Sequence, residues 1–369
     1  MSTIKIPILD LKPEIEAIAD ELMASIEQVV RSGYFIMGPN VRAFETEVGQ
    51  YLDVPHALGV NSGTDALFIA LEALDIGPGD EVITTPFSFF ATAEAIGRVG
   101  ATPIFVDIEP STFNIDPECI AAAITERTRA IIPVHLYGHA ADMDAIVALA
   151  QQHDLAVLED VAQALGGAHR GRPLGTLGDA GAYSFFPSKN LGAFGDAGLL
   201  VTSRDAVAHT AAMLRKHGAH RKYYNERIGY NSRLDELQAA ILRVKLPRLE
   251  QQNAGRRRVA ATYNAMLTDI EGLITPTEAS WAHHVYHQYT VRILGQRREH
   301  VREALKAEGI GTMVYYPVPI HQLPVYREHA PTLPVAESLS HEVLSLPIWP
   351  QMTEEVQSTV VDALRRALA

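Results

Sequence analysis

Along the first half of the chain, short apolar runs alternate with stretches whose apolar positions recur every three or four residues. HALGVN (56–61), EVITTP (81–86), TPIFVDI (102–108), RAIIPVHLYG (129–138) and LAVLEDVA (155–162) are strand-length and rich in β-branched residues, which predicts strands buried on both faces. TDALFIALEALD (64–75), ATAEAIGRVG (91–100) and DMDAIVALAQQHD (142–154) carry the helical period between them. Gly-Pro-Gly-Asp at 77–80 marks a turn from one such helix into the next strand. This alternation predicts an α/β fold with a mainly parallel sheet covered by helices. After Asp160 the pattern changes: AGAYSFF (180–186) and AGLLVTS (197–203) read as consecutive strands joined by a loop containing Lys189.

From Asp235 a charged helical pattern continues to Leu267, with a kink at Pro247, and bridges into a smaller C-terminal region. That region is expected to hold a strand at VYHQYTVRIL (285–294), a helix at REHVREALKAEG (298–309) and a strand at TMVYYPV (312–318). It closes with the amphipathic helix TEEVQSTVVDALRRALA. The division this predicts is a large domain over residues 1–245 and a small α+β domain over 246–369.

Composition narrows the classes. With 369 residues, 47% of them hydrophobic and 20% charged, the chain suits a globular protein whose core needs no staples. A formal charge of −13 provides no basic face for nucleic acid and disfavours anionic membrane surfaces. The single cysteine, Cys119, allows neither an intramolecular disulfide nor a cysteine metal site. The N-terminal segment MSTIKIPILDLKPEIEAIADEL lacks a signal peptide's basic start and apolar run, and no apolar stretch matches a bilayer span. A cytoplasmic protein is expected. The histidine pairs His283/His284 and His217/His220 have no carboxylate-rich partner set, so no metal is expected.

Four segments carry candidate chemistry. NSGTDAL (61–67) follows a strand and opens a helix, so the backbone at Gly63 and the Thr64 hydroxyl can meet a phosphate at the helix N-terminus. A plain N-cap at Ser62 or Thr64 explains the same residues equally well. In LAVLEDVAQ, Asp160 sits at a strand's C-terminal end, where α/β sheets deliver function. Its carboxylate suits a pyridinium N–H, and Gln163 suits the phenolic oxygen of the same ring; a surface carboxylate capping the next turn is the alternative. GAYSFFPSKNLGAFGDAG (181–198) places one lysine, Lys189, in an apolar, glycine-rich loop. Partial desolvation there lowers an amine's pKa and frees it to attack a carbonyl. Ser184 and Ser188 can supply phosphate donors, and the P-loop order is absent. FSFF (87–90) reads by default as core, but Phe89 is placed to stack on the ring. Taken in chain order, as phosphate turn, stacking aromatic, Asp-x-x-Gln and lysine, the four segments point to pyridoxal 5'-phosphate (PLP) held by Lys189.

Over essentially its whole length the chain resembles the sugar aminotransferases of the DegT/DnrJ/EryC1/StrS family, which are fold-type I PLP enzymes. The resemblance runs through IPILDLKPEI, SGYFIMGPNVRAFE, NSGTDAL, GDEVITTPFSFFATAEAI, FVDIEPSTFNID and IIPVHLYG. It continues through EDVAQALG, SFFPSKNLGAFGDAG, GYNSRLDELQAAIL and VYYPVPIH. It implies a seven-stranded sheet, a Schiff base on Lys189, Asp160 on the ring nitrogen, Gln163 on the ring oxygen and Phe89 against the ring. It further implies phosphate binding by Gly63, Thr64 and Ser184, with Asn231 reaching in from the other subunit of a homodimer with shared active sites. Arg233, Tyr315 and Tyr316 match positions that contact a nucleotide sugar, though each alone reads as ordinary surface or core.

The implied reaction is ping-pong transamination from L-glutamate to a nucleotide-linked keto-hexose. KNLGAFGDAG is similar to members acting at C3, whereas members acting at C4 more often carry a Thr-Thr-Gly-Glu-Gly-like run. The best resemblance is to enzymes of UDP-linked 3-keto sugars, including uronic acids, with dTDP-linked 3-keto-6-deoxyhexoses open. The alternatives are a C4-keto aminotransferase and a PLP-dependent sugar dehydratase. Dehydratase relatives replace the lysine with histidine or bring redox machinery, which Lys189 and the single cysteine disfavour. A regulatory role is disfavoured by the intact Lys189, Asp160 and Gln163. No Gly-x-Gly-x-x-Gly follows the first strand, which excludes an NAD-linked dehydrogenase.

Overall fold

A computed structural model describes residues 4–369. Its main sheet comprises β1 (His56–Val60), β2 (Glu81–Thr84), β3 (Thr102–Phe105), β4 (Thr128–Ile132), β5 (Ala156–Asp160), β6 (Ala180–Ser184) and β7 (Gly198–Thr202). Their spatial order is β1-β7-β6-β5-β4-β2-β3. β7 alone runs against the rest, pairing antiparallel with β1 and β6. The other pairings are parallel. Helices Gly63–Ala73, Ala91–Arg98, Pro117–Ala123 and Met143–His153 form the first four crossovers that parallel pairing demands. β6 and β7 are joined by a loop instead, which permits the reversal.

Both faces of the sheet are covered. The two-residue period sends Leu200 to one face with Phe68 and Ile69, and Leu199 to the other with Phe44 and Phe185. Helix Gly63–Ala73 is apolar nearly all round, and its buried residues include Leu67, Phe68, Ile69 and Leu71, as expected of a helix inside the fold. Because β1, β2, β4, β5 and β6 share one direction, their C-terminal ends open on the same edge of the sheet. That edge is where the site forms.

Beyond the sheet, helix Glu236–Lys245 meets helix Leu249–Leu267 at the 3-10 turn Leu246–Arg248, which holds Pro247. The division proposed after residue 245 falls at this turn. An antiparallel three-stranded sheet follows, built from Leu273–Ile274, Tyr289–Ile293 and Val343–Leu346. It carries helices Arg298–Ala307 and Glu354–Leu368. Near the chain's start, Ile6 pairs with Ile310, so the N-terminal segment lies against this C-terminal part.

Two expected strands differ. TMVYYPV (312–318) is not a strand: only Met313 pairs, with Ser345, through bonds of 3.2 and 2.8 Å. Pro317 and Pro319 lack the N–H a ladder needs, and the chain leaves the sheet, taking Tyr315 and Tyr316 to the cavity described below. The third strand is Val343–Leu346, whose sequence VLSL is short enough to escape notice. The segment 285–294 is strand only from Tyr289, because Val285 and Gln288 bond instead to the carbonyls of Gly138 and Tyr137.

Candidate active site

The shared edge of the sheet holds a cavity of about 620 Å³. Five strand ends reach it: Ser62–Thr64 after β1, Ser88 and Phe89 after β2, Val134 after β4, Asp160–Gln163 from the end of β5, and Ser184–Lys189 from the end of β6. Tyr315 and Tyr316 close it from the C-terminal part. Thus Gly63, Thr64, Phe89, Asp160, Gln163, Ser184, Lys189, Tyr315 and Tyr316 line one cavity. Asn231 and Arg233, expected at the same site, do not line it.

Lys189 lies in the loop between β6 and β7, where its N–H donates to the Phe186 carbonyl at 2.8 Å. Burial lowers its pKa to about 8, and the negative charge of Asp160 only partly opposes this. Near neutral pH a usable fraction of the amine is therefore unprotonated. Asp160 ends β5 and is 5% exposed. Its Oδ2 accepts a hydrogen bond from Thr92 Oγ1 at 2.8 Å, and its Oδ1 accepts one from the Ala162 N–H at 3.1 Å. Burial raises its pKa, while Thr92, Ala162 and Lys189 pull the other way. Asp160 thus caps the following turn, though from a buried position rather than the surface, and presents its carboxylate to the cavity.

Gln163 is held at both ends. Its Oε1 accepts from the Tyr137 N–H at 2.8 Å, and its Nε2 donates to Tyr316 Oη at 3.2 Å. A second Nε2 hydrogen remains for a ligand oxygen. Ser62 is the N-cap of helix Gly63–Ala73, accepting from the Asp65 N–H at 3.1 Å. Gly63 starts the first turn so close to β6 that an added Cβ would lie 2.8 Å from Ser184 Cβ. That approach sets Gly63, Thr64 and Ser184 around a helix N-terminus, a place that favours an anion. Phe89 is 61% exposed and presents an uncovered aromatic side chain to the cavity.

Segment 231–233 sits behind this anion site and is stitched to Asn61. The Asn61 side chain donates to the Asn231 carbonyl at 3.0 Å and accepts from the Arg233 N–H at 3.2 Å. Asn231 is exposed, and Arg233 Nε is buried without a partner in its own chain.

Among the cavity residues that the sequence does not mark as functional, Thr92 and His287 stand out. Thr92 holds Asp160 across 68 positions, and no local spacing signals that contact. His287 is buried in the cavity wall, and its segment had been read as strand.

The donor set fits PLP. A buried amine of lowered pKa can hold an aldehyde, a deep carboxylate can face a pyridine nitrogen, and a helix N-terminus flanked by hydroxyls can take a phosphate. The cavity volume lies within the range usual for small-molecule sites.

Comparison with known proteins agrees. Residues 16–365 match the DegT/DnrJ/EryC1/StrS aminotransferase family. The chain is 49% identical to a "pleiotropic regulatory protein" of Geobacillus stearothermophilus, covering 97% of each. It is 47% identical to a UDP-N-acetyl-3-dehydro-alpha-D-glucosamine 3-aminotransferase of Acidithiobacillus ferrooxidans, covering 98% of each. The crystal structure of S. venezuelae DesV in complex with a ketimine intermediate superposes with a TM-score of 0.95 at 45% identity. That match covers 99% of this chain and 98% of DesV. The chain therefore belongs to the DegT/DnrJ/EryC1/StrS family of PLP-dependent aminotransferases.

Proposed function

We propose that this enzyme transfers an amino group from L-glutamate to the C3 ketone of a nucleotide-linked hexose, working as a homodimer in the cytoplasm. The observation that carries the transaminase reading is the pairing, in one cavity, of Lys189 with a pKa of about 8 and the buried Asp160 carboxylate. C3 is supported by the activity for which the Acidithiobacillus relative is named and by the Asn-Leu-Gly-Ala that follows Lys189. Glutamate is supported by the family resemblance alone, and the reducing compartment by the single cysteine.

When bound, PLP supplies a ring that withdraws the electron pair left by a broken Cα–H bond. The chain's own residues do the rest. Lys189 Nζ holds the cofactor covalently at rest. Once free of the cofactor, Nζ would take the proton from the donor's Cα and later surrender it. Asp160, steadied by Thr92 and the Ala162 N–H, would face the ring nitrogen and keep that nitrogen protonated. Gln163 meets the ring oxygen and Phe89 covers a ring face. Gly63, Thr64 and Ser184 hold the phosphate at the helix N-terminus. Tyr315 and Tyr316 stand where the sugar enters.

The dimer is supported by an incomplete inventory of charge. Among the described residues, Lys189 is the only Lys or Arg lining the cavity, while a glutamate carboxylate and a nucleotide diphosphate both need cations. Exposed apolar residues, Phe89, Phe186, Phe194 and Ile228 among them, supply area for an isologous contact. In this reading Asn231 and Arg233 of one subunit complete the other's site. The regulatory name of the Geobacillus relative raises a non-catalytic role, against which stand the retained Lys189, Asp160 and Gln163.

A panel of nucleotide-linked 3-keto and 4-keto sugars, incubated with PLP-loaded enzyme and glutamate and read by mass spectrometry, tests the reading. An amine gained by 3-keto compounds is expected; amination of 4-keto compounds alone would overturn the choice of C3.

A further inference from the structure

His287 belongs to the turn between the short strand Ala282–His283 and the strand Tyr289–Ile293, yet it lines the same cavity as Lys189. Its side chain is buried, and Nδ1 has no hydrogen-bond partner among the described residues. Native folds seldom leave a buried nitrogen orphaned, and such a group calls for a partner that arrives during function. Burial, then the charges of Lys189 and Arg256, hold the ring far below the ordinary imidazole pKa. The ring is therefore neutral, with one N–H and one lone pair.

The turn is anchored from the lysine site itself. Asn190, next to Lys189, donates from Nδ2 to the Val285 carbonyl at 3.0 Å. Arg256 Nη1 donates to the carbonyls of Tyr286 and His287, each at 3.3 Å. The Val285 N–H donates to the Gly138 carbonyl at 3.0 Å, and the Gln288 N–H to that of Tyr137 at 3.3 Å. Tyr286 holds a left-handed φ of 45°. A Cβ on Gly138 would lie 3.0 Å from the backbone nitrogens of both Tyr286 and His287, so the approach depends on glycine there. Backbone held this firmly in an uncommon conformation clusters at functional positions.

We propose that His287 is a positioning residue for Lys189: once Lys189 is released from the cofactor, its Nζ donates a hydrogen bond to the imidazole lone pair. The contact turns the Nζ lone pair towards the donor's Cα. Nζ takes the Cα proton and becomes an ammonium, then loses a proton again to the cofactor, while the imidazole gains and loses none. The proposal rests on the transaminase reading above.

The test uses PLP-loaded wild type, His287→Phe and His287→Asn in the glutamate half-reaction, where no sugar takes part. His287→Phe is expected to stay yellow and keep its KM for glutamate. Its half-reaction should slow by about 10–100-fold, with an enlarged isotope effect on Cα-deuterated glutamate. His287→Asn, whose side-chain oxygen accepts hydrogen bonds, should recover most of the rate. A Phe variant at the wild-type rate, an Asn variant as slow as Phe, or a defect confined to the sugar half-reaction would each overturn the proposal. A colourless wild type would overturn the transaminase reading and this proposal with it. A second readout needs neither turnover nor the Phe variant. In nitrogen NMR of the histidine-labelled apoenzyme, the imidazole signal absent from His287→Asn should move on Lys189→Ala, and a signal that stays put contradicts the contact.

Discussion

The floor and the rim of the cavity are built differently. The floor consists of strand ends: Asp160 and Gln163 are buried and hydrogen-bonded to named partners, and Lys189 is desolvated between them and the C-terminal part. The rim carries Phe89 at 61% exposure and Phe186 at 52%, aromatic surface that a lone protomer leaves in water. The floor contains what a cofactor needs. The rim lacks the cations that a diphosphate and an amino-acid donor need. The difference supports a division in which one chain is proposed to organise the bond-making chemistry and substrate recognition to wait for a second chain.

The largest test of the floor is Asp160→Asn. Loss of the carboxylate proposed to face the ring nitrogen should lower kcat by about 10²–10³-fold, in the range of other preorganised electrostatic contacts. Steady-state kinetics checks this, and a loss under a few-fold would detach Asp160 from catalysis.

The rim is tested by complementation. Lys189→Ala and Arg233→Ala chains, each nearly inactive alone, should regain about a quarter of wild-type activity when unfolded and refolded together. Half of the random pairs are then mixed, and each mixed pair has one intact site. No recovery would mean that Arg233 serves its own protomer.

A subtler test concerns what the floor costs the fold. The Lys189 pKa falls from 10.5 to about 8 on folding, so between those values the unfolded chain binds more protons than the folded one. Apoenzyme stability should accordingly rise with pH across that window, and below it the buried ammonium remains a net penalty. Lys189→Met, similar in length and uncharged, should stabilise the apoenzyme near neutral pH by about 1–3 kcal/mol and flatten that rise. Urea unfolding at several pH values measures both, and an unchanged or lowered stability would contradict the desolvated amine.

The smallest effect is expected from Thr92→Val, which removes the 2.8 Å bond to Asp160 at nearly constant volume. A loss of about 1 kcal/mol in transition-state stabilisation, some five-fold in kcat/KM, is predicted. The cofactor's colour should be retained.

How far these features were legible in the sequence depended on range. Lys189 stands out as a lone charge in an apolar loop, and Asp160 as a carboxylate at the end of an apolar strand. Both signals are local, and both residues lie in the cavity. Thr92 carries no such mark, because its role depends on how β2 and β5 are ordered in the sheet. His287 was hidden within a β-rich run whose first residues are diverted by contacts to Tyr137 and Gly138, about 150 positions earlier. Tyr315 and Tyr316 were assigned to a strand on β propensity, where prolines 317 and 319 carried the decisive information.

The central claim is that Lys189 is the residue that holds PLP. Borohydride treatment of the purified, PLP-loaded enzyme, followed by peptide mapping, addresses it most directly. The account predicts one phosphopyridoxyl mass, on the peptide containing Lys189, and none in Lys189→Ala. An adduct on another lysine, or an unmodified Lys189 peptide in wild type, would contradict it.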